Sequence, residues 1–209
     1  MPKDKSNTLE KIIPSAKKEF LEKGFAGTSM RSIAAGAGMS AAGLYRHFES
    51  KEALFDALVS PVYTEFLSIY RAQSDRFFSQ LEAAGLDPMW ESSQQTMSMF
   101  MEYLYDHIDE FRLLISCSEQ TTYEHFTHSL VDLEVDMTVS YIEKAREMGF
   151  AMKPANREEI HVLANAHFSC VFEMILHNVP KAKAMKMTDR FSAFFAAGWK
   201  EYMLEQKNT

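Results

Sequence analysis

The chain has 209 residues, of which 46% are hydrophobic, and a formal net charge of −7. That much apolar material excludes a disordered chain, and the length fits one large or two small domains. Two cysteines without metal-ligand spacing exclude a disulfide framework, and no apolar run approaches the ~20 residues of a membrane span; a cytoplasmic protein with no signal peptide, no cofactor and no membrane partner is expected.

In chain order, the first expected helix covers 8–23, with Ile12, Ile13, Ala16, Phe20 and Leu21 on its apolar stripe and Gly24 as its stop. Pro14 predicts a kink there, or a start nearer to it. Thr28 and Ser29 are N-cap residues for a short helix whose apolar face is Met30, Ile33, Ala34 and Ala37. Gly38 marks a turn, Ser40 caps a second short helix, and Leu44 and Phe48 point it inward. Two short helices joined by a tight turn are the pattern of a helix-turn-helix, whose second helix enters the major groove of duplex DNA. Ser50 caps a third helix running to about 84, bent or broken at Ser60-Pro61. Further helices are expected at about 88–106, 109–117, 123–148, 156–178 and 188–205. Nothing reads as a strand. The expected fold is all-α: a three-helix DNA-binding domain over 1–55 and a larger helical effector-binding and dimerisation domain over 56–209.

Charge is split along the same line. Residues 1–51 hold nine Lys/Arg and five Asp/Glu, net +4, and the remainder is net −11. A basic amino-terminal module on an acidic body points to nucleic acid in a way that the total charge conceals.

The stretch from Ile33 and Ala34 through Gly38, Ser40, Leu44, Tyr45, His47, Phe48, Ser50, Lys51, Glu52 and Leu54 resembles the DNA-binding signature of the tetracycline-repressor (TetR) family of bacterial regulators. The resemblance covers roughly 9–58; a weaker one lies at Ala197-Gly198-Trp199. It implies a homodimeric, ligand-responsive repressor on a palindromic operator. Carried over by position, Tyr45, His47 and Lys51 contact phosphates, as does Thr28 or Ser29 at the start of the motif's first helix. Ser40, Ala41, Ala42, Gly43 and Arg46 face base edges, and the basic Arg31 is placed with the DNA-facing set. Three of these residues lack a hydrogen-bonding side chain. Readout then leans on Arg46, with guanine as its expected partner, on Ser40, on thymine methyl contacts or on DNA shape.

In the body, Met97, Met101 and Leu104 stripe one helix beside Phe100, and Phe126, Leu130, Leu133 and Met137 stripe another. With Phe168 and Phe172 they are candidates to line a cavity for an apolar or aromatic effector; the same stripes also suit an ordinary core. His161 and Asn165 share a face with Phe168, to orient a ligand or to sit satisfied inside. The 156–178 helix is apolar nearly all round, and the last helix carries several aromatics. Val171, Ile175, Phe191, Phe195, Gly198, Trp199 and Tyr202 are the candidates for an intersubunit four-helix bundle, the alternative being that they cover their own core. The 50–60 helix is the expected lever between DNA and effector, with Pro61 as pivot.

Other chemistries are weakly represented. His125, His128 and Asp132 lack a spacing that fixes a metal site, and Cys117 and Cys170 lack cationic neighbours to activate them. There is no glycine-rich phosphate loop, nucleophile elbow or zinc-helix motif, so no catalytic residue is assigned. The alternatives to a small-molecule regulator are one controlled by a protein partner or a metal, or an enzyme with an unrecognised helical active site.

Overall fold

The computed structural model describes residues 5–205, without the side chains of residues 5–7 and 91; residues 1–4 of the expected first domain lie outside it. Its helices are α1 (Lys5–Gly27), α2 (Met30–Gly36), α3 (Ala41–Tyr45), α4 (Lys51–Ala84), α5 (Asp87–Asp106), α6 (Ile108–Ser116), α7 (Phe126–Glu147), α8 (Arg157–Leu176) and α9 (Lys181–Met203). No strand occurs among the described residues; Met152 and Leu204 form an isolated antiparallel bridge. The fold is all-α, as expected.

The chain packs as two compact units. One contains the residues through Phe66 together with His107–Phe126; the other contains Leu67–Asp106 and the residues from 127 onward. The boundary expected at residue 55 falls inside the first unit. The reason is α6, which buries Phe111, Leu113 and Leu114 there. Phe111 meets Phe66 edge-on at 5.2 Å, Glu110 pairs with Lys17 of α1 at 2.5 Å, and Cys117 O accepts from Phe25 N at 3.0 Å.

Within the first unit, α1 buries Ile12, Ala16 and Phe20 at the helical spacing of an apolar stripe. It runs through Pro14, and its backbone leaves the helical region at Gly24 (φ 69°, ψ 173°), where a left-handed angle carries no Cβ penalty. Ser29 caps α2, accepting from Ser32 N at 3.1 Å while Ser32 Oγ accepts from Ser29 N. Gly38 turns the chain at φ 69°. Ser40 then caps α3 through Gly43 N at 3.1 Å.

Gly36 is held by space. A Cβ there would come within 2.4 Å of Ser15 Oγ, and that hydroxyl donates to Ile33 O at 2.8 Å. Overpacking costs about 1–3 kcal/mol against about 1 kcal/mol of helix propensity gained. Gly36→Ala is therefore expected to lower stability by a net ~1 kcal/mol. Ser15→Ala in the same chain should lose less than the sum of the two single changes in urea denaturation, because it removes the colliding atom.

The helix expected to be bent or broken at Ser60-Pro61 is not broken: α4 continues through Pro61. Proline forgoes one backbone bond there, and the buried Leu58, Val59 and Val62 on either side hold the segment helical by packing.

In the second unit, α5 packs along α9, and Leu81, Val131, Val135, Ile142, Ala145, Ile160 and Ala164 form part of the core. Asn156 caps α8, accepting from the backbone N–H of Glu158 and Glu159. The last helix begins earlier than expected, at Lys181 rather than near 188. Lys, Ala and Met favour helix at 181–187. Ala184 is fully buried, and Thr188 donates its hydroxyl back to Ala184 O at 2.9 Å, so it is an interior residue and not a cap.

Candidate nucleic-acid interface and effector cavity

The helix-turn-helix face is built by α2, the Gly38 turn and α3. Ser29, Arg31, Ser40, Ala42, Tyr45 and Arg46 are exposed, with Ala41, Gly43 and His47 partly so. Tyr45 leaves half of its surface open, at 52%. Arg31 and Arg46 make no ion pair among the described residues, so both guanidinium groups are available to phosphate or to a base edge. Gly43 keeps the front of α3 bare; a side chain there would begin 3.3 Å from the Ser40 Oγ that caps the helix.

Thr28 and Lys51 have internal partners instead. Thr28 is buried, and its hydroxyl donates to Gly24 O at 2.8 Å and Glu19 O at 3.0 Å. Between the two phosphate candidates at the start of α2, the exposed one is Ser29. Lys51 Nζ donates to Phe25 O at 2.6 Å and Thr28 O at 3.0 Å and stands 4.2 Å above the Phe25 ring. One of its three N–H groups is left.

The second unit holds a partly open cavity of about 210 Å³. Eight aromatic side chains line it: Tyr70, Phe77, Phe78, Trp90, Phe100, Tyr141, Phe195 and Trp199. Met89, Met97, Met137 and Met203 fill in between them.

Of the expected lining residues, Met97, Phe100 and Met137 reach this cavity. Met101, Leu104, Leu130 and Phe172 are buried in the core instead, and Phe126 belongs to the first unit, where it meets Phe111 and Tyr63. Leu133 is partly buried away from the cavity. Phe168 stacks on Phe172 with ring centres 5.8 Å apart. Asn165 is exposed, and His161 pairs at 3.7 Å with Asp132 on the surface. The discrepancy on α7 is a rotation. Its buried face is Val131, Val135, Thr138, Ile142 and Ala145, which turns Glu134, Met137 and Tyr141 toward the cavity.

The polar lining was not anticipated. Tyr70 donates its hydroxyl to one oxygen of Glu134, and Thr138 Oγ1 approaches the other at 3.4 Å. Burial raises the Glu134 carboxyl above its ordinary range, while these two hydrogen bonds act in the opposite direction. Burial pushes the His167 imidazole down to about 4, which leaves it neutral near pH 7; it stacks on Phe195 at 4.3 Å. Gln73 Oε1, Trp90 Nε1, Tyr141 OH and Ser192 Oγ are buried without a hydrogen-bond partner among the described residues. A signal for part of this was present: Glu134, Thr138 and Tyr141 recur at i, i+4, i+7, a polar line alongside an apolar stripe.

Most of the candidate dimer residues pack within their own unit, Gly198 being the exposed exception. Val171 and Ile175 are buried in their own unit, Phe195 and Trp199 line the cavity, Phe191 is partly buried, and Tyr202 donates to Glu159 at 2.9 Å. The inward stripe of α9 is Ala184, Thr188, Ser192, Phe195, Trp199 and Met203, and its first three members are small or polar. On the opposite face Phe194 is 71% exposed, Gly198 has open space beside it, and Val162 of α8 is 66% exposed. No group of three metal-ligating side chains occurs among the described residues, and none of the described helices is long and apolar enough to cross a membrane.

Residues 12–58 match the family model described as bacterial regulatory proteins, tetR family. The chain is similar to the HTH-type transcriptional repressor KstR2 of Rhodococcus jostii (strain RHA1), with 30% identity over 105 residues covering 50% of this chain and 45% of that protein. It is also similar to the probable HTH-type transcriptional regulator YttP of Bacillus subtilis (strain 168), with 32% identity over 102 residues covering 49% and 42%. The chain thus matches less than half the length of either curated relative. Among solved structures, the TetR family transcriptional regulator PfmR from Thermus thermophilus superimposes with a TM-score of 0.61 over 88% of this chain and 93% of that one, at 21% identity. At that identity the likeness concerns the fold.

Proposed function

We propose that this chain, whose residues 12–58 match the family model of tetR bacterial regulatory proteins, is a ligand-responsive transcriptional repressor acting as a homodimer on a palindromic operator. The observation that carries this reading is the face of α3, with Ser40, Ala42, Tyr45 and Arg46 exposed on a module whose first 51 residues carry net +4. Ser29, Arg31, Tyr45 and His47 serve phosphates and position the module. Arg46 reads a base edge, and the bare Ala41-Ala42-Gly43 edge lies close to the groove floor. Two copies bind successive major grooves through helices roughly 34–36 Å apart. The exposed Phe194 and Val162 on α9 and α8 support pairing through this face.

The cavity supplies the response. A ligand that binds one form of the dimer better than the other shifts their populations, and operator affinity changes by that differential. Helix α4 is the candidate lever, since Leu54, Phe55 and Phe66 belong to the core of the first unit while Tyr70, Phe77 and Phe78 line the cavity of the second.

The test begins with an operator selected from genomic fragments, with binding followed by fluorescence anisotropy. Arg46→Ala is expected to cost about 1–3 kcal/mol on that operator and to relax preference at one base position in each half-site. Unchanged affinity and unchanged base preference would remove Arg46 from the readout. A chain that remained monomeric and bound no fragment at low salt would remove the regulator reading altogether.

A further inference from the structure

We propose that the cavity of the second unit takes a small arylalkyl ammonium ion, its charge met by Glu134 and its ring by the surrounding aromatic side chains. The proposal rests on the reading of this cavity as the effector site and names the chemical class of the effector.

Glu134 is the first observation. Each of its carboxylate oxygens is the acceptor for a hydroxyl, from Tyr70 and from Thr138, which suits the ionised form. No lysine, arginine or histidine nitrogen lies within ion-pair distance of it among the described residues. A partly buried carboxylate is paired, bound to a metal or neutralised; the two donated hydroxyls favour the charge, and no group of three metal-ligating side chains is present among the described residues. The counter-charge is therefore what an occupant would bring.

The remaining lining points the same way. No lysine or arginine is among the described residues that line the cavity, so an anionic ligand meets a carboxylate and no cation. Tyr141 and Ser192 are 5% and 6% exposed, with hydroxyls unpartnered among the described residues, and Gln73 Oε1 is a further unpaired acceptor. Trp90 Nε1 is an unpaired donor, while the carboxylate, Gln73 Oε1 and the two hydroxyls, which can donate or accept, give a primary ammonium several acceptors for its N–H groups. Aromatic faces attract cations, tryptophan most strongly, and Trp90 and Trp199 both line the space. Size sets the other bound. A cavity of about 210 Å³ exceeds the ~150 Å³ that admits benzene, which suits one ring with a short chain.

The experiment uses the full chain and three matched probes: 2-phenylethylammonium, the neutral 2-phenylethanol and the anionic 3-phenylpropanoate. Calorimetry gives affinities. Intrinsic fluorescence reports occupancy, because the protein's two tryptophans both line the cavity. The ammonium is expected to bind at least tenfold tighter than the alcohol, with the carboxylate weakest. Glu134→Gln should remove at least tenfold of the ammonium affinity and leave the alcohol unchanged. Equal binding of ammonium and alcohol, retention of the ammonium by Glu134→Gln, or no binding of the ammonium overturns the proposal. The ranking is measured on the unmodified protein, so it decides even if the variant does not fold. Operator release, followed separately, tests the effector reading. Glutamate-dependent ammonium binding that leaves operator affinity unchanged upholds the ligand class and sinks the effector role; release by a neutral or anionic ligand irrespective of Glu134 does the reverse.

Discussion

Phe55→Ala is expected to destabilise the first unit by about 3–5 kcal/mol, the largest effect of any single change considered. Phe55 is 1% exposed near the start of α4. Its ring meets Phe20 edge-on at 5.1 Å and Phe25 edge-on at 5.5 Å, and Tyr123 at a tilt across 6.3 Å. Truncation removes all three contacts and leaves a cavity that two rigid rings on α1 cannot collapse to fill. Aromatic pairs of this geometry add about 0.5–1.5 kcal/mol beyond area burial. Against a typical total of about 5–15 kcal/mol the loss is large, and the helix-turn-helix depends on that core. Operator binding should disappear at temperatures where the unmodified protein still binds. Thermal and urea unfolding measure the effect; a midpoint unmoved by the substitution would mean that this aromatic cluster does not hold the unit together.

Lys51→Met is expected to cost about 2–4 kcal/mol, also through folding. The ammonium group supplies charge-assisted hydrogen bonds to Phe25 O and Thr28 O and covers the Phe25 ring. Such bonds contribute up to about 1.5–3 kcal/mol each, toward or below the lower end at this part-buried site, and their loss leaves two carbonyls with unmet acceptor capacity beside buried residues. Methionine preserves the length of the side chain and none of the donors. The salt dependence of operator binding discriminates between two roles. A strap between helices lowers the melting temperature and leaves the slope of log K against log salt unchanged. A phosphate contact leaves stability alone and makes the slope shallower by about 0.9. The geometry favours the strap.

These two residues illustrate what a sequence makes legible. The helix-turn-helix could be read because its determinants are local. Ser29 and Ser40 cap helices through backbone groups three residues away, Gly38 supplies a left-handed angle at its own position, and Leu44 declares its inward face by spacing alone. Lys51 could not be read fully, because its acceptors lie 23 and 26 residues earlier in the chain. A lysine in the first turn of a helix, in a basic segment, carries no local mark that distinguishes a phosphate ligand from an internal strap.

The cavity was less legible for the same reason on a larger scale. Hydrophobic spacing identified α5, α7, α8 and α9 as helices with apolar faces, and three of the expected lining residues, Met97, Phe100 and Met137, do reach the space. Spacing is nearly silent about the absolute rotation of a helix that is apolar over most of its circumference. On α9 the stripe beginning Ala184, Thr188 and Ser192 faces inward, although its first members look like surface residues and Phe194 looks like core.

Composition, charge segregation, caps, glycines and apolar spacing by themselves determined an all-helical chain with a basic amino-terminal helix-turn-helix on a larger acidic helical body. Only the tertiary structure decided that α6 joins the first unit, that Lys51 turns inward, that Phe195 and Trp199 line a cavity, and that Glu134 lines it too without a cation partner among the described residues. The division follows from range. Backbone capping and helical periodicity act within a few residues, whereas burial is settled by which distant helix occupies the space beside a side chain, and no short window of sequence contains that neighbour.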